Sequence, residues 1–193
     1  MAQSPDRNSG RTARRRPGPL DAARLRELAL AYVARFATSR ARLESYLARK
    51  LRERGWDGEG EPPVAALAEH CVAAGYIDDA AFARARSGSL LRRGYGQGRV
   101  TRMLGAAGIG AEIRAEVRAG EGAQRRAALA MARKRGFGPF GRTVPDRQAR
   151  EKQIAAMLRA GHTLDSAREL VDAASVEAAE DWAAQLSEED GCD

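Results

Sequence analysis

The same helix stop occurs three times in this chain. Leu51 stands four residues before Gly55, Leu104 four before Gly108, and Met157 four before Gly161. Each apolar stretch is flanked by base: Arg52 and Arg54, then Arg102, then Arg159. A glycine just past a helical stripe ends the helix, because that position favours a left-handed backbone that side chains resist. Each stop also closes the second of three helical stretches in succession. Recurrence at roughly fifty to sixty residues marks tandem helical units, which bury their apolar faces against one another.

The units can be read residue by residue. Leu25, Leu28, Ala29, Tyr32, Val33 and Phe36 share one helical stripe, with Asp21 as its cap. Thr38 or Ser39 starts a second helix, in which Leu43, Leu47 and Leu51 recur every four residues. Pro62-Pro63 opens a third, carrying Val64, Leu67, Ala68, Cys71 and Val72 and ending at Gly75. The pattern restarts at Asp78, the cap of a helix with Phe82 on its apolar face and a stop at Gly94. Val100, Met103, Leu104 and Ala107 mark the next helix, and Ile113 and Val117 a third before Gly120. The last unit runs from Glu121 to Arg135, through a Gly/Pro-rich linker from Gly136 to Pro145, into a helix over 146–160. A final helix runs from about Leu164 through Leu170 and Val171 toward Trp182.

Composition supports an all-α reading. Forty Ala and 30 Arg face only 17 Val, Ile and Thr, and helix formers in that excess leave little material for a sheet. No run approaches the roughly 18 apolar residues of a membrane span, and the Arg-rich N-terminus has no apolar stretch behind it to make a secretory signal. Cys71 and Cys192 alone make no disulfide framework, so a reducing cytoplasm is expected. The net charge of +7 is unevenly spread. Residues 1–19 read as a disordered basic arm with Arg7, Arg11, Arg14, Arg15 and Arg16 against Asp6. Residues 176–193 read as an acidic tail with Glu177, Glu180, Asp181, Glu188, Glu189, Asp190 and Asp193.

Catalysis finds little support. His70 and His162 lie far apart and start no metal-ligand spacing. His70 and Cys71 diverge by about 100° on a helix, so Cys71 reads as core and His70 as solvent-facing. Gly136-Phe137-Gly138-Pro139-Phe140-Gly141 spells a dinucleotide fingerprint, but a helix end precedes it where the motif needs a strand. Its two Phe are expected to cover a junction, and no cofactor is expected. What remains is a basic surface. Arg92, Arg93, Tyr95, Arg99 and Arg102 gather around a glycine-rich turn whose backbone N–H groups are expected to be accessible. Arg42, Arg49, Lys50, Arg133, Lys134 and Arg135 form a second set. Guanidinium forks suit phosphates and carboxylates, so the surface is expected to bind something acidic.

Three stretches together carry a resemblance. Ala29-Leu30-Ala31-Tyr32 with Ser39-Arg40, then Gly75-Tyr76-Ile77-Asp78-Asp79-Ala80-Ala81-Phe82-Ala83, then Arg93-Gly94-Tyr95-Gly96, resemble the bacterial RecX regulators over roughly residues 22–175. The resemblance implies three tandem three-helix repeats (20–77, 78–120 and 121–175) in an elongated, curved molecule. It implies a non-enzymatic monomer that binds the RecA filament on DNA and inhibits strand exchange, ATP hydrolysis and coprotease activity. Three positions depart from the pattern: Arg86, Ser87 and Gly88 interrupt an apolar or helix-favouring stretch, Gln97 replaces a frequent proline, and His162 replaces an aromatic. Those predict a kinked helix, a loosened helix start and altered packing in the last unit. Such a regulator is expected to bind DNA directly only weakly; the alternatives are a helical nucleic-acid binder acting alone, with tight, salt-sensitive binding, and an α-solenoid adaptor for an acidic protein.

Overall fold

The computed structural model describes residues 18–185. Among them the regular elements are helices, with no strand. Helices α1 (Ala22–Arg35), α2 (Arg40–Arg54) and α3 (Val64–Ala73) enclose a first core around Leu25, Leu43, Leu47, Cys71 and Ile77. Asp21 and Ser39 cap α1 and α2, each side chain accepting a backbone N–H of the first turn. Most of the expected basic arm lies outside the described residues. Of that stretch the structure describes Gly18 and Pro19, and the Gly18 carbonyl accepts from Arg54 Nε at 2.9 Å. Leu20 is fully buried and pairs with the end of α2, its N–H donating to Gly55 O at 3.0 Å.

Helices α4 (Asp79–Arg92), α5 (Gln97–Ala106) and α6 (Ala111–Glu116) surround a second core of Ala83, Leu90, Val100, Leu104 and Ile109. Helix α4 runs without a break through Gly88, from Asp79 to Arg92. Ser87 is buried and its hydroxyl donates to Val117 O at 3.4 Å, so the polar residue ties α4 to the end of α6. Gln97 likewise tightens the start of α5. Its Oε1 accepts from Ala119 N at 3.2 Å, and its Nε2 donates to Thr101 Oγ1 at 3.3 Å.

Helices α7 (Glu121–Arg135), α8 (Arg147–Arg159) and α9 (Leu164–Val171) build a third core around Ala128, Ala132, Met157 and Leu170. Phe137 and Phe140 pack against it, as expected of the linker. The final helix differs from the sequence reading. It stops at Val171, and a new helix, α10 (Val176–Ala184), starts with Ser175 as cap. The stretch read as an acidic tail from 176 is therefore helical to Ala184. Ala179 and Ala183 are buried, and Trp182 lies under Arg125 at 4.8 Å. The alanines let α10 lie close along α7, where Arg125 donates to Trp182 O at 3.0 Å and Arg133 pairs with Glu180.

Two joints of one kind link the three groups. At the first, the start of α2 sits on the end of α5: Ser39 Oγ donates to Ala107 O at 2.5 Å, and a Cβ on Gly108 would lie 2.1 Å from Ala41 Cβ. Asp79, next to the α4 cap Asp78, accepts from Arg40 N at 3.0 Å. At the second, the start of α5 sits on the end of α8. Gly96 N and Gly98 N donate to Ala160 O and Gly161 O, both at 3.0 Å. A Cβ on Gly96 would fall 2.3 Å from the Gly161 carbonyl carbon. At the second joint the N–H groups of one helix start meet the carbonyls of another helix end, whereas at the first a cap hydroxyl makes that bond. His162 lies inside the second joint, 8% exposed, its Nε2 donating to Gly94 O at 3.0 Å.

Candidate functional site

The second joint has a cavity on its flank. It measures about 280 Å³ and is lined by Arg93, Gly94, Tyr95, Arg99, Met131, Lys134, Arg135, Ala156, Arg159 and Ala160. Three helix ends and one helix start place these side chains. Arg93 and Tyr95 follow α4, Arg99 is in the first turn of α5, Lys134 and Arg135 end α7, and Arg159 ends α8. Five cations therefore face one opening that no carboxylate lines.

The simplest role for cations at helix C-termini is to cap carbonyls and offset the dipoles. Here the backbone has taken the capping. Tyr95 N donates to Leu90 O, Phe137 N to Ala132 O and His162 N to Met157 O, with Gly94 N, Gly136 N and Gly161 N completing the three turns. The guanidinium and ammonium groups around the cavity are left for other partners. None of the five forms an ion pair with a described residue. Tyr95 packs against both the second and third cores and presents its ring to two of them. The guanidinium carbon of Arg99 lies 4.4 Å from the ring centroid and that of Arg93 5.6 Å. Arg99 Nε is buried without a hydrogen-bond partner, a donor of the kind that buried sites supply to an anion.

The structure thus joins Arg93, Tyr95 and Arg99 with Lys134 and Arg135, drawn from the two sets read in the sequence. Arg159 belongs with them and was not among the sequence candidates. Its only signal was a place beside the recurrent glycine stop. Arg92 and Arg102 are exposed but stand outside the cavity, Arg102 one turn beyond Arg99 with its Nε donating to Gly98 O at 3.3 Å. Arg133 faces the other way, paired with Glu180 and 5.8 Å from the Phe140 ring. Arg42 sits at the first joint, 5.6 Å from the Phe82 ring. Arg49 and Lys50 lie on α2 and both pair with Glu53, at 3.8 and 2.6 Å. The Lys50 ammonium holds the Glu53 carboxyl below its ordinary range.

One sequence expectation is corrected. The glycine amides of the Arg93-Gly94-Tyr95-Gly96 turn are not accessible to a ligand. Gly94 N closes α4 on Leu91 O, while Gly96 N and the following Gly98 N bond the end of α8, so the turn fastens a joint and only its side chains face the cavity. The Gly136–Gly141 fingerprint is also used internally: its Gly136, Gly138 and Gly141 amides bond Arg133 O, Gln153 Oε1 and Gly138 O. Among the described residues no three or more His, Cys, Asp and Glu are grouped as a metal site, and no helix is long and apolar enough to cross a membrane.

No family model matches the chain, but two regulatory proteins do. Regulatory protein RecX of Agrobacterium fabrum is 32% identical over 143 residues, covering 72% of this chain and 76% of that protein. Regulatory protein RecX of Myxococcus xanthus is 30% identical over 178 residues, covering 87% of this chain and 94% of that protein. A likeness that spans almost the whole of the Myxococcus protein, on an all-helical chain carrying the motif order read above, places this chain in the RecX family of regulatory proteins.

Proposed function

We propose that the chain is a non-enzymatic regulator that binds the RecA filament on DNA and inhibits the recombinase. Its three helical groups act as three tandem three-helix repeats in an elongated, curved body that follows the filament. The repeated helix-end joint supports this, since a fixed joint between like units sets a regular course. The observation that carries the reading is the cavity of five cations around Tyr95 with no lining carboxylate. A nucleoprotein filament presents phosphates along an extended groove, and guanidinium forks bind phosphate oxygens bidentately. No reaction is needed. The site holds charge and shape, and inhibition follows from occupying the filament.

The test is recombinase ATP hydrolysis on single-stranded DNA, titrated with this protein. Inhibition is expected well below equimolar protein, and Arg93→Ala with Arg99→Ala is expected to relieve it. Equal inhibition by that double variant would remove the cavity from the mechanism.

A further inference from the structure

A groove also lies beside the first joint, and it is lined differently from the cation cavity at the second. Arg42 and Arg99 are each the third residue of their helices, and each lies over an aromatic ring: Phe82 at 5.6 Å and Tyr95 at 4.4 Å. The slot at the second joint gathers five cations. The slot at the first is a wider groove of about 520 Å³, its lining including Ala81, Phe82, Ala85 and Tyr76 with Arg42 and Arg86 as its only cations. Asp78 also lines it at the α4 start, one of its carboxylate oxygens accepting Ala81 N at 2.8 Å as the helix cap.

Tyr76 has no structural task in this groove. Its backbone is fixed, N donating to Cys71 O at 2.9 Å, yet the residue is 58% exposed and its ring and hydroxyl have no described partner. Val72 one turn earlier is exposed too, as is Phe36 next to the lining residue Ala37. Apolar exposure grouped at one rim of a slot marks a contact surface.

Resting on the proposed filament binding, we infer that this groove docks an apolar segment bearing a carboxylate on the recombinase protein, while the cation slot takes phosphate. The methyl groups of Ala81 and Ala85 bury an apolar side chain, and Arg42 and Arg86, which pair with no described acid, receive the carboxylate. A nucleic acid fits less well: two cations offer a backbone little, and Arg42 already covers the Phe82 ring, leaving Tyr76 as the one free stacking surface.

The test compares wild type with Tyr76→Ala plus Arg86→Ala on two probes: a labelled single-stranded oligonucleotide, bare or coated with recombinase. The double variant is expected to lose about tenfold in affinity for the coated strand with bare-strand affinity unchanged. Tyr76 is exposed, so the single variant Tyr76→Ala with an unshifted melting curve separates docking from folding and is expected to weaken only coated-strand binding. Unchanged coated-strand affinity in both variants overturns the inference. Parallel losses on both probes overturn it in favour of a nucleic-acid groove. Wild type failing to prefer the coated strand defeats the filament reading itself, and this inference with it.

Discussion

Gly96→Ala reads the second joint with little interference from backbone preference. Gly96 has φ −78° and ψ 164°, a conformation alanine adopts freely, so that term alone would stabilise the fold by about 0.4–1 kcal/mol through the unfolded chain. The added methyl, however, would lie 2.3 Å from both the carbon and oxygen of the Gly161 carbonyl and 2.4 Å from His162 N. These are backbone atoms at a helix end and cannot swing aside, so α5 and α8 must part by about an ångström. Parting them lengthens the bonds from Gly96 N and Gly98 N, both now 3.0 Å, at about 1 kcal/mol each. Overpacking strain adds about 1–3 kcal/mol. The net loss is about 3 kcal/mol, or about 10 °C in melting temperature for a chain of this size. Gly110→Ala is the control, since its Cβ would meet nothing within 4 Å. Circular dichroism melting of both variants gives the answer. If Gly96→Ala melts like Gly110→Ala, the joint is open in solution and the cation cavity loses the scaffold that builds it.

Further outcomes follow from other contacts. His162 is held neutral, burial pushing its pKa below the ordinary 6.5 despite the bond to Gly94 O. A depressed folded pKa gives stability that is present above the unfolded value and lost as pH falls through the folded one. Wild-type melting should therefore drop more steeply than that of His162→Gln as pH falls from about 7 to 5, and parallel profiles would contradict the buried neutral ring. Trp182→Ala should cost about 2 kcal/mol by removing its packing and the stacked Arg125, and truncation after Ala174 should destabilise far more than truncation after Gln185. An acidic tail detached from the core would leave all three proteins equally stable. Arg159→Ala should lower the salt dependence of single-strand binding by about 0.7 in the log–log slope, the share of one phosphate contact, whereas Arg133→Ala, already paired with Glu180, should leave it nearly unchanged.

Local signals made most of the helices legible. Asp21, Ser39 and Asp78 cap where hydroxyl or carboxylate precedes an apolar stripe, and Gly94, Gly108, Gly136 and Gly161 end helices with positive φ. What escaped was whatever depends on a distant partner. The break after Val171 and the packing of α10 rest on Ala179, Ala183 and Trp182 meeting α7, and a run of acids gave no hint of it. Arg159 joins Tyr95 only because two helices meet end to end, so linear clustering of arginines selected Arg133 and overlooked Arg159. The glycines of the Arg-Gly-Tyr-Gly turn were legible as special positions, but their purpose was not. They permit backbone to touch backbone between α5 and α8, and the ligand surface is the side chains around them.

We propose that this protein recognises DNA already coated with recombinase, through a cation slot built by three helix ends and one helix start. Titrating one labelled preparation against bare single-stranded DNA, recombinase without DNA, and the assembled filament tests it most directly. Tightest binding to the filament is expected, with that preference falling sharply in the Arg93→Ala, Arg99→Ala double variant. Binding to bare DNA as tight as to the filament, or a filament preference untouched by the two substitutions, would contradict it.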